Sequence, residues 1–157
     1  MGRVDLAQFE NVAVTAAQDF FEVTPAANKP MVIHGYGLHQ TSDTGDAAEE
    51  ILRISLVRGH TTSGSGGSTV TPALLASSAD TASGDTTVEI NNTTIASTAG
   101  TTLYVHGMNV RAGLEVWFPP EARPGVSAAD TTIVLRLLAA PADSLTMGGW
   151  IVFEETI

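Results

Sequence analysis

Short runs in which apolar and polar residues alternate recur along the chain, separated by clusters of Gly, Pro, Asp, Ser or Thr. Successive side chains of a strand point to opposite faces, so this pattern is the signature of antiparallel β structure. Phe9 to Thr15 sets Val12 and Val14 on one face, and Gln18 to Thr24 does the same with Phe21 and Val23. Met31 to Gln40 places Val32, Tyr36 and Leu38 together. Gly35 and Gly37 fall on the other face with Ile33, which predicts a bulge or a close approach by another backbone. Ile51 to Arg58 aligns Leu52, Ile54 and Leu56. Further runs follow at Thr87 to Ile90, Thr101 to His106, Gly113 to Phe118, Thr131 to Leu138 and Gly149 to Glu154. The pattern predicts an all-β chain: an antiparallel β-sandwich of jelly-roll type with about nine strands. Residues 1–157 read as a single domain, with 1–9 as an N-terminal arm. No linker or internal repeat is visible.

One segment has two readings. Asp46-Ala47-Ala48-Glu49 has the form of a helix-starting capping box, so a helix from Ala47 to Arg58 competes with the strand. The alternation of Leu52, Ile54 and Leu56, with no helix stop before Gly59, favours the strand. Three loops are expected. His60 to Thr71 is flexible by its Gly/Ser composition. Ser77 to Thr86 is small and polar. Phe118 to Asp130 carries Pro119, Pro120 and Pro124, none of which can donate to a ladder.

Charge narrows the partners. Seventeen Asp and Glu stand against seven Lys and Arg, a formal net charge of -10. Such a surface repels phosphate backbones and anionic lipid, so neither nucleic acid nor membrane is an expected partner. The absence of cysteine excludes disulfides and thiolate chemistry. The opening Met-Gly-Arg-Val-Asp-Leu lacks the apolar core of a secretory signal, and no apolar run reaches the ~18 residues of a membrane span. The chain is therefore expected to be soluble and made in the cytoplasm.

Several strands are apolar on both sides. Val134 and Leu138 lie opposite Ile133, Leu135 and Leu137. Trp117 lies opposite Val116 and Phe118, and Ile151 and Phe153 lie opposite Trp150 and Val152. A simple sandwich leaves one face of each sheet wet. The second apolar face is either a subunit interface or a surface roofed by the chain's own loops. Arg53 and Arg136, mid-strand among apolar residues, call for carboxylate partners across an interface or within the chain. The expected interface residues are Arg53, Arg58, Trp117, Arg123, Arg136, Leu138 and Phe153.

No arrangement of catalytic groups emerges. On a regular strand His34 and His39, five apart, face opposite ways, and no His-x-His pair exists; the four histidines read as polar or rim residues, and no metal or cofactor is expected. Ser63-Gly64-Ser65-Gly66 imitates a nucleophile elbow but lies in a loop, and it lacks the lysine of a phosphate cradle. Glu49-Glu50 and Glu154-Glu155 are adjacent, so on strands neither pair forms a glycosidase dyad. Asn91-Asn92-Thr93-Thr94 reads as a turn between strands. The chain is expected not to be an enzyme.

Six stretches carry a resemblance: Lys29 to Arg53 (KPMVIHGYGLHQTSDTGDAAEEILR), Arg58 to Ser68 (RGHTTSGSGGS), Asn91 to Ala96 (NNTTIA), Phe118 to Pro124 (FPPEARP), Ile133 to Met147 (IVLRLLAAPADSLTM) and Gly148 to Glu155 (GGWIVFEE). Together, from about Val14 to Glu155, the chain resembles small structural proteins encoded beside the head genes of tailed bacteriophages and prophages. The resemblance implies a virion protein, chiefly a head-decoration or cement protein. That would be a jelly-roll homotrimer seated on the major capsid protein at the capsid surface, after synthesis in the host cytoplasm. The alternative is a glycan- or receptor-binding module of a phage head or tail fibre, with Tyr36, Tyr104 or Trp117 as the stacking aromatic. A degenerate cupin enzyme is the third reading.

Overall fold

The computed structural model describes residues 2–42, 49–76, 86–127 and 132–155. Twelve strands run through them: β1 (Arg3–Val14), β2 (Gln18–Thr24), β3 (Met31–Gln40), β4 (Ile51–Thr62), β5 (Ser68–Val70), β6 (Ala73–Leu74), β7 (Thr87–Asn92), β8 (Ser97–Asn109), β9 (Leu114–Trp117), β10 (Gly125–Val126), β11 (Ile133–Leu137) and β12 (Leu145–Glu155). A single 3₁₀ turn, Pro120–Ala122, begins at a proline whose missing N–H would have gone unpaired there anyway. No helix among the described residues is long and apolar enough to cross a membrane.

All pairs are antiparallel. β1 pairs with β12, β2 with β11, β3 with β9 and β4 with β8. The chain thus runs out through β1 to β4 and returns alongside itself. This double ribbon then wraps, so that β3 also joins β12 and β4 joins β11. Two six-stranded sheets result. One has the order β10-β3-β12-β1-β6, with β9 also on β3; the other has the order β5-β7-β2-β11-β4-β8. The eight strands β1-β12-β3-β9 and β2-β11-β4-β8 have the strand order of a jelly roll. The added β7 extends the second sheet beyond β2.

The core lies between the sheets. Tyr36, Phe20, Phe21, Phe153, Ile54, Leu56, Ile133 and Leu135 are among its fully buried side chains. Each apolar side chain so buried contributes about 1.5–3 kcal/mol. Phe9 stacks on Phe20 at 5.9 Å and packs against Phe21 at 5.3 Å. That contact explains a departure from the sequence expectation. Arg3 to Phe9, expected as an arm, lie in β1, because Ala7 and Phe9 alternate into the core along β12.

β4 is a strand from Ile51, as the alternation predicts; positions 47 and 48, where the competing helix would begin, lie outside the described residues. Residues 77–85 of the polar loop and 128–130 of the proline loop also lie outside them. The face assignment in β3 needs correction. Val152 pairs with Gly35 and Phe153 with Ile33, so His34 is an extra, bulged residue. The bulge turns Ile33 into the core beside Tyr36 and Leu38, and leaves Val32 outside.

The Gly/Ser-rich stretch after His60 is not free chain. β4 continues to Thr62. Ser65 and Thr94 exchange two backbone hydrogen bonds of 2.9 Å, and β5 pairs with β7. The small side chains let this backbone lie flat on the outer side of the second sheet. Asn91 and Asn92, read as a turn, end β7 instead. Asn91 has φ 55, which asparagine tolerates, and Asn92 is buried.

Candidate functional site

Among the described residues the outer face of the second sheet is half roofed and half open. On the roofed side Glu22 of β2 is buried. Its carboxylate accepts Ser63 Oγ at 2.7 Å, Gly64 N at 2.9 Å and Asn92 Nδ2 at 3.1 Å. Glu89 lies directly across from Glu22 and shares the Asn92 amide at 2.9 Å. Next to this, Arg136 makes a two-toothed contact with Asp19: Nε to Oδ1 at 2.5 Å and Nη2 to Oδ2 at 3.0 Å. The loop residue Ala96 ties onto both partners, donating its N–H to Asp19 at 2.7 Å and accepting from Arg136 at 2.7 Å. Val134 sits between these two anchors and is fully buried. The second apolar face of β11 is therefore covered along Val134 and Arg136 by the chain's own loops. Arg136 has its partner within the chain.

The open side lies over β4 and β8. Leu52, Ile54 and Leu56 point into the core, so Ile51, Arg53 and Ser55 lie on the outer face, where Ile51 and Arg53 are exposed and Ser55 is buried between its neighbours. Val105 stands opposite Ser55, and Gly107 opposite Arg53. Leu138 donates its backbone N–H to the Arg53 carbonyl and follows the outward Arg136 by two residues. Ile51 is 61% exposed, Val105 64% and Leu138 39%. These three and Arg53 form one patch, floored by Gly107. Among the described residues β8 is the outermost strand of its sheet, and one side of its backbone has no ladder partner there. Such an edge is a template for another chain.

The outer face of the first sheet carries a different surface. Trp117 and Trp150 lie side by side, centroids 5.0 Å apart and planes tilted by 35°. They are possible only because the residues beneath them are glycines. A Cβ at Gly35 would stand 2.7 Å from Trp117 Cε3, and one at Gly37 would stand 2.5 Å from Trp150 Cε2. The indole N–H of Trp117 donates to Glu115 at 2.7 Å, which fixes its ring. At one end of this face the bulged His34 meets Glu154 at 2.8 Å, and Glu154 also accepts Gly2 N at 2.9 Å. At the other end stands His39, opposite Gly148. The bulge thus puts His34 and His39 on one face, where a regular strand would separate them. Among the described residues no three His, Cys, Asp or Glu side chains converge as metal ligands.

The expected interface residues are dispersed. Arg53 and Leu138 come together on the β4–β8 patch. Trp117 lies on the opposite sheet. Arg58 reaches across the mouth of the sandwich to the Gly125 carbonyl at 2.9 Å, and Arg123 is half-buried beside the 3₁₀ turn. Arg136 is held by Asp19. Phe153 is fully buried in the core and has no surface to offer a partner; the inward side of β12 is the Ile151–Phe153 side. Ile51, Val105 and Trp150 were not among the expected contacts. The signal for the first two was available in the alternation that buries Leu52 and Ile54. Of the candidate stacking aromatics, Tyr36 is fully buried, and Tyr104 is half-buried and donates to the Ala122 carbonyl at 3.0 Å.

Tyr36 O–H and His106 Nε2 are 2.6 Å apart, with His106 stacked on Tyr104. Desolvation, then the neighbouring Tyr104, pushes the Tyr36 hydroxyl above its usual range, and desolvation holds His106 below its usual 6.5. Both shifts favour the neutral pair, with Tyr36 donating to a neutral imidazole. The unfolded chain therefore takes up a proton at His106 before the folded chain does. Stability should fall as pH drops below about 6.5. Thermal melts from pH 7 to 5 should show a smaller decline for His106→Gln than for the parent; parallel declines would remove His106 from the account.

Compared with known protein families, curated proteins and solved structures, the chain matches none of them.

Proposed function

We propose that this protein is a structural component of a tailed-phage virion that binds the outside of the capsid and stabilises it, acting as a homo-oligomer. The observation that supports this reading is the apolar patch of Ile51, Val105 and Leu138 around Arg53, alongside β8, the edge strand of its sheet among the described residues. A lone copy leaves this surface in water. A second copy or a capsid subunit laid on it gains roughly 25 cal/mol for each Å² of apolar area covered, less the entropy of association. Arg53 supplies an orienting donor fork within the patch. The net charge of -10 keeps free copies apart until a specific contact forms. Decoration of the capsid, and a trimer as the oligomer, follow from the sequence resemblance.

The reading is tested by sedimentation of purified protein at micromolar concentration, alone and with expanded capsids. The parent protein should sediment as a trimer and travel with the capsids. Val105→Glu should sediment as a monomer with an unchanged circular dichroism spectrum, since Val105 is exposed and contributes little to the fold. A parent protein that is monomeric and ignores capsids would overturn the proposal.

A further inference from the structure

We propose that the outer face of the first sheet is a binding site for a neutral saccharide, with Trp117 and Trp150 as its stacking floor. This goes beyond capsid binding and uses the opposite sheet from the β4–β8 patch. Trp117 is 58% exposed although it is one of the largest apolar side chains in the protein. Its ring is held in place by Glu115 and by the close fit over Gly35, so a ligand meets a surface that is already ordered. Two recesses adjoin this floor. One, of about 390 Å³, is lined by Gln8, Phe9, Glu10, His39, Gly149 and Trp150. The other, of about 180 Å³, includes His39, Glu115 and Trp150 in its wall. Trp150 and His39 belong to both, so the two recesses meet around them. The larger is within the size range of small-molecule sites.

The chemistry of the rim selects the ligand. A pyranose ring has a face of weakly positive C–H groups, which suits the negative face of an indole, and a circumference of hydroxyls. Here the circumference would meet the Gln8 amide, the His39 imidazole and the Glu10 and Glu115 carboxylates. This set offers both donors and acceptors at the edges of an aromatic floor. Carboxylates accept strongly from hydroxyls and repel anions. Sialylated and sulfated glycans are therefore excluded, and neutral sugars are favoured. The 35° tilt between the indoles gives an open strip, unlike the upright walls of a cage for a quaternary ammonium.

The test uses the full chain. Methyl glycosides of glucose, galactose, mannose and N-acetylglucosamine are titrated at millimolar concentration while tryptophan fluorescence is followed. An array of neutral and anionic glycans then finds longer ligands. At least one neutral glycoside should shift the fluorescence, and the array should retain neutral but not sialylated or sulfated glycans. Trp117→Ala should weaken binding at least about tenfold. Gln8→Ala, an exposed rim change that leaves the floor intact, should weaken it about threefold to tenfold. Val105→Glu should leave it unchanged, which separates this site from self-assembly. Any of four results overturns the proposal: no response to any neutral sugar, a preference for anionic glycans or choline, unaltered binding by folded Trp117→Ala, or dissociation of an oligomer by Trp117→Ala.

Discussion

Replacing Asp19 by alanine is expected to lower the stability of the fold by about 3–5 kcal/mol, the cost of leaving a buried charge without its partner. Asp19 is fully buried and Arg136 nearly so. The aspartate takes both prongs of the guanidinium and the Ala96 N–H. Without the carboxylate, Arg136 stays fixed under the loop by its bond to the Ala96 carbonyl, with its charge uncompensated in a water-poor site. A chain of this length loses roughly 2–4 °C of melting temperature per kcal/mol. The melt should therefore drop by about 6–20 °C. The double variant Asp19→Ala with Arg136→Met should be markedly more stable than Asp19→Ala alone, because it removes the stranded charge. Chemical denaturation of the two single and the double variants measures the coupling. Additive losses would show that the pair contributes only by shape.

Glu22→Ala is expected to cost about 2–4 kcal/mol, since hydrogen bonds to a charged group contribute about 1.5–3 kcal/mol. Three donors converge on Glu22 from two segments. Ser63 Oγ and Asn92 Nδ2 retain contacts to Glu89, but Gly64 N would lose its acceptor in a buried position. The loss should be local as well as global. Limited proteolysis should open a site within residues 63–67 in Glu22→Ala that the parent protein resists. Glu22→Gln keeps one acceptor oxygen and should retain part of the protection. If Glu22→Ala melts with the parent and resists the protease equally, the Glu22 anchor is not what holds this segment on the sheet.

These two anchors also show where sequence reasoning stops. Alternation places Phe21 and Val23 on one side of β2 and so places Glu22 on the other, where a carboxylate is expected to meet water. That Glu22 is buried depends on a segment about forty residues away, whose Gly/Ser composition reads as flexible chain. The same composition lets its backbone lie flat on β2 and β7. Arg136 presented both of its readings, interface and intrachain pair, in one strand, and the contact with Asp19 decides for the second. The free face over β4 and β8 was legible in Leu52, Ile54 and Leu56. What was missing was that, among the described residues, β8 ends its sheet and no loop covers Ile51 or Val105. The tryptophan floor was only half legible: Gly35 and Gly37 signalled a close approach in β3, but what approaches them is a pair of indoles from β9 and β12.

By itself the sequence determined the class of fold and the long strands that build it, because alternation with a period of two is a local property that hydrophobic burial acts on directly. It set the character of the surface through charge. Which outer faces stay open was decided only by the tertiary structure, since that depends on pairings and loop contacts between residues far apart in the chain. The bulge at His34 shows the same division. One extra residue reverses which side chains enter the core, and only the partner strand fixes where that residue falls.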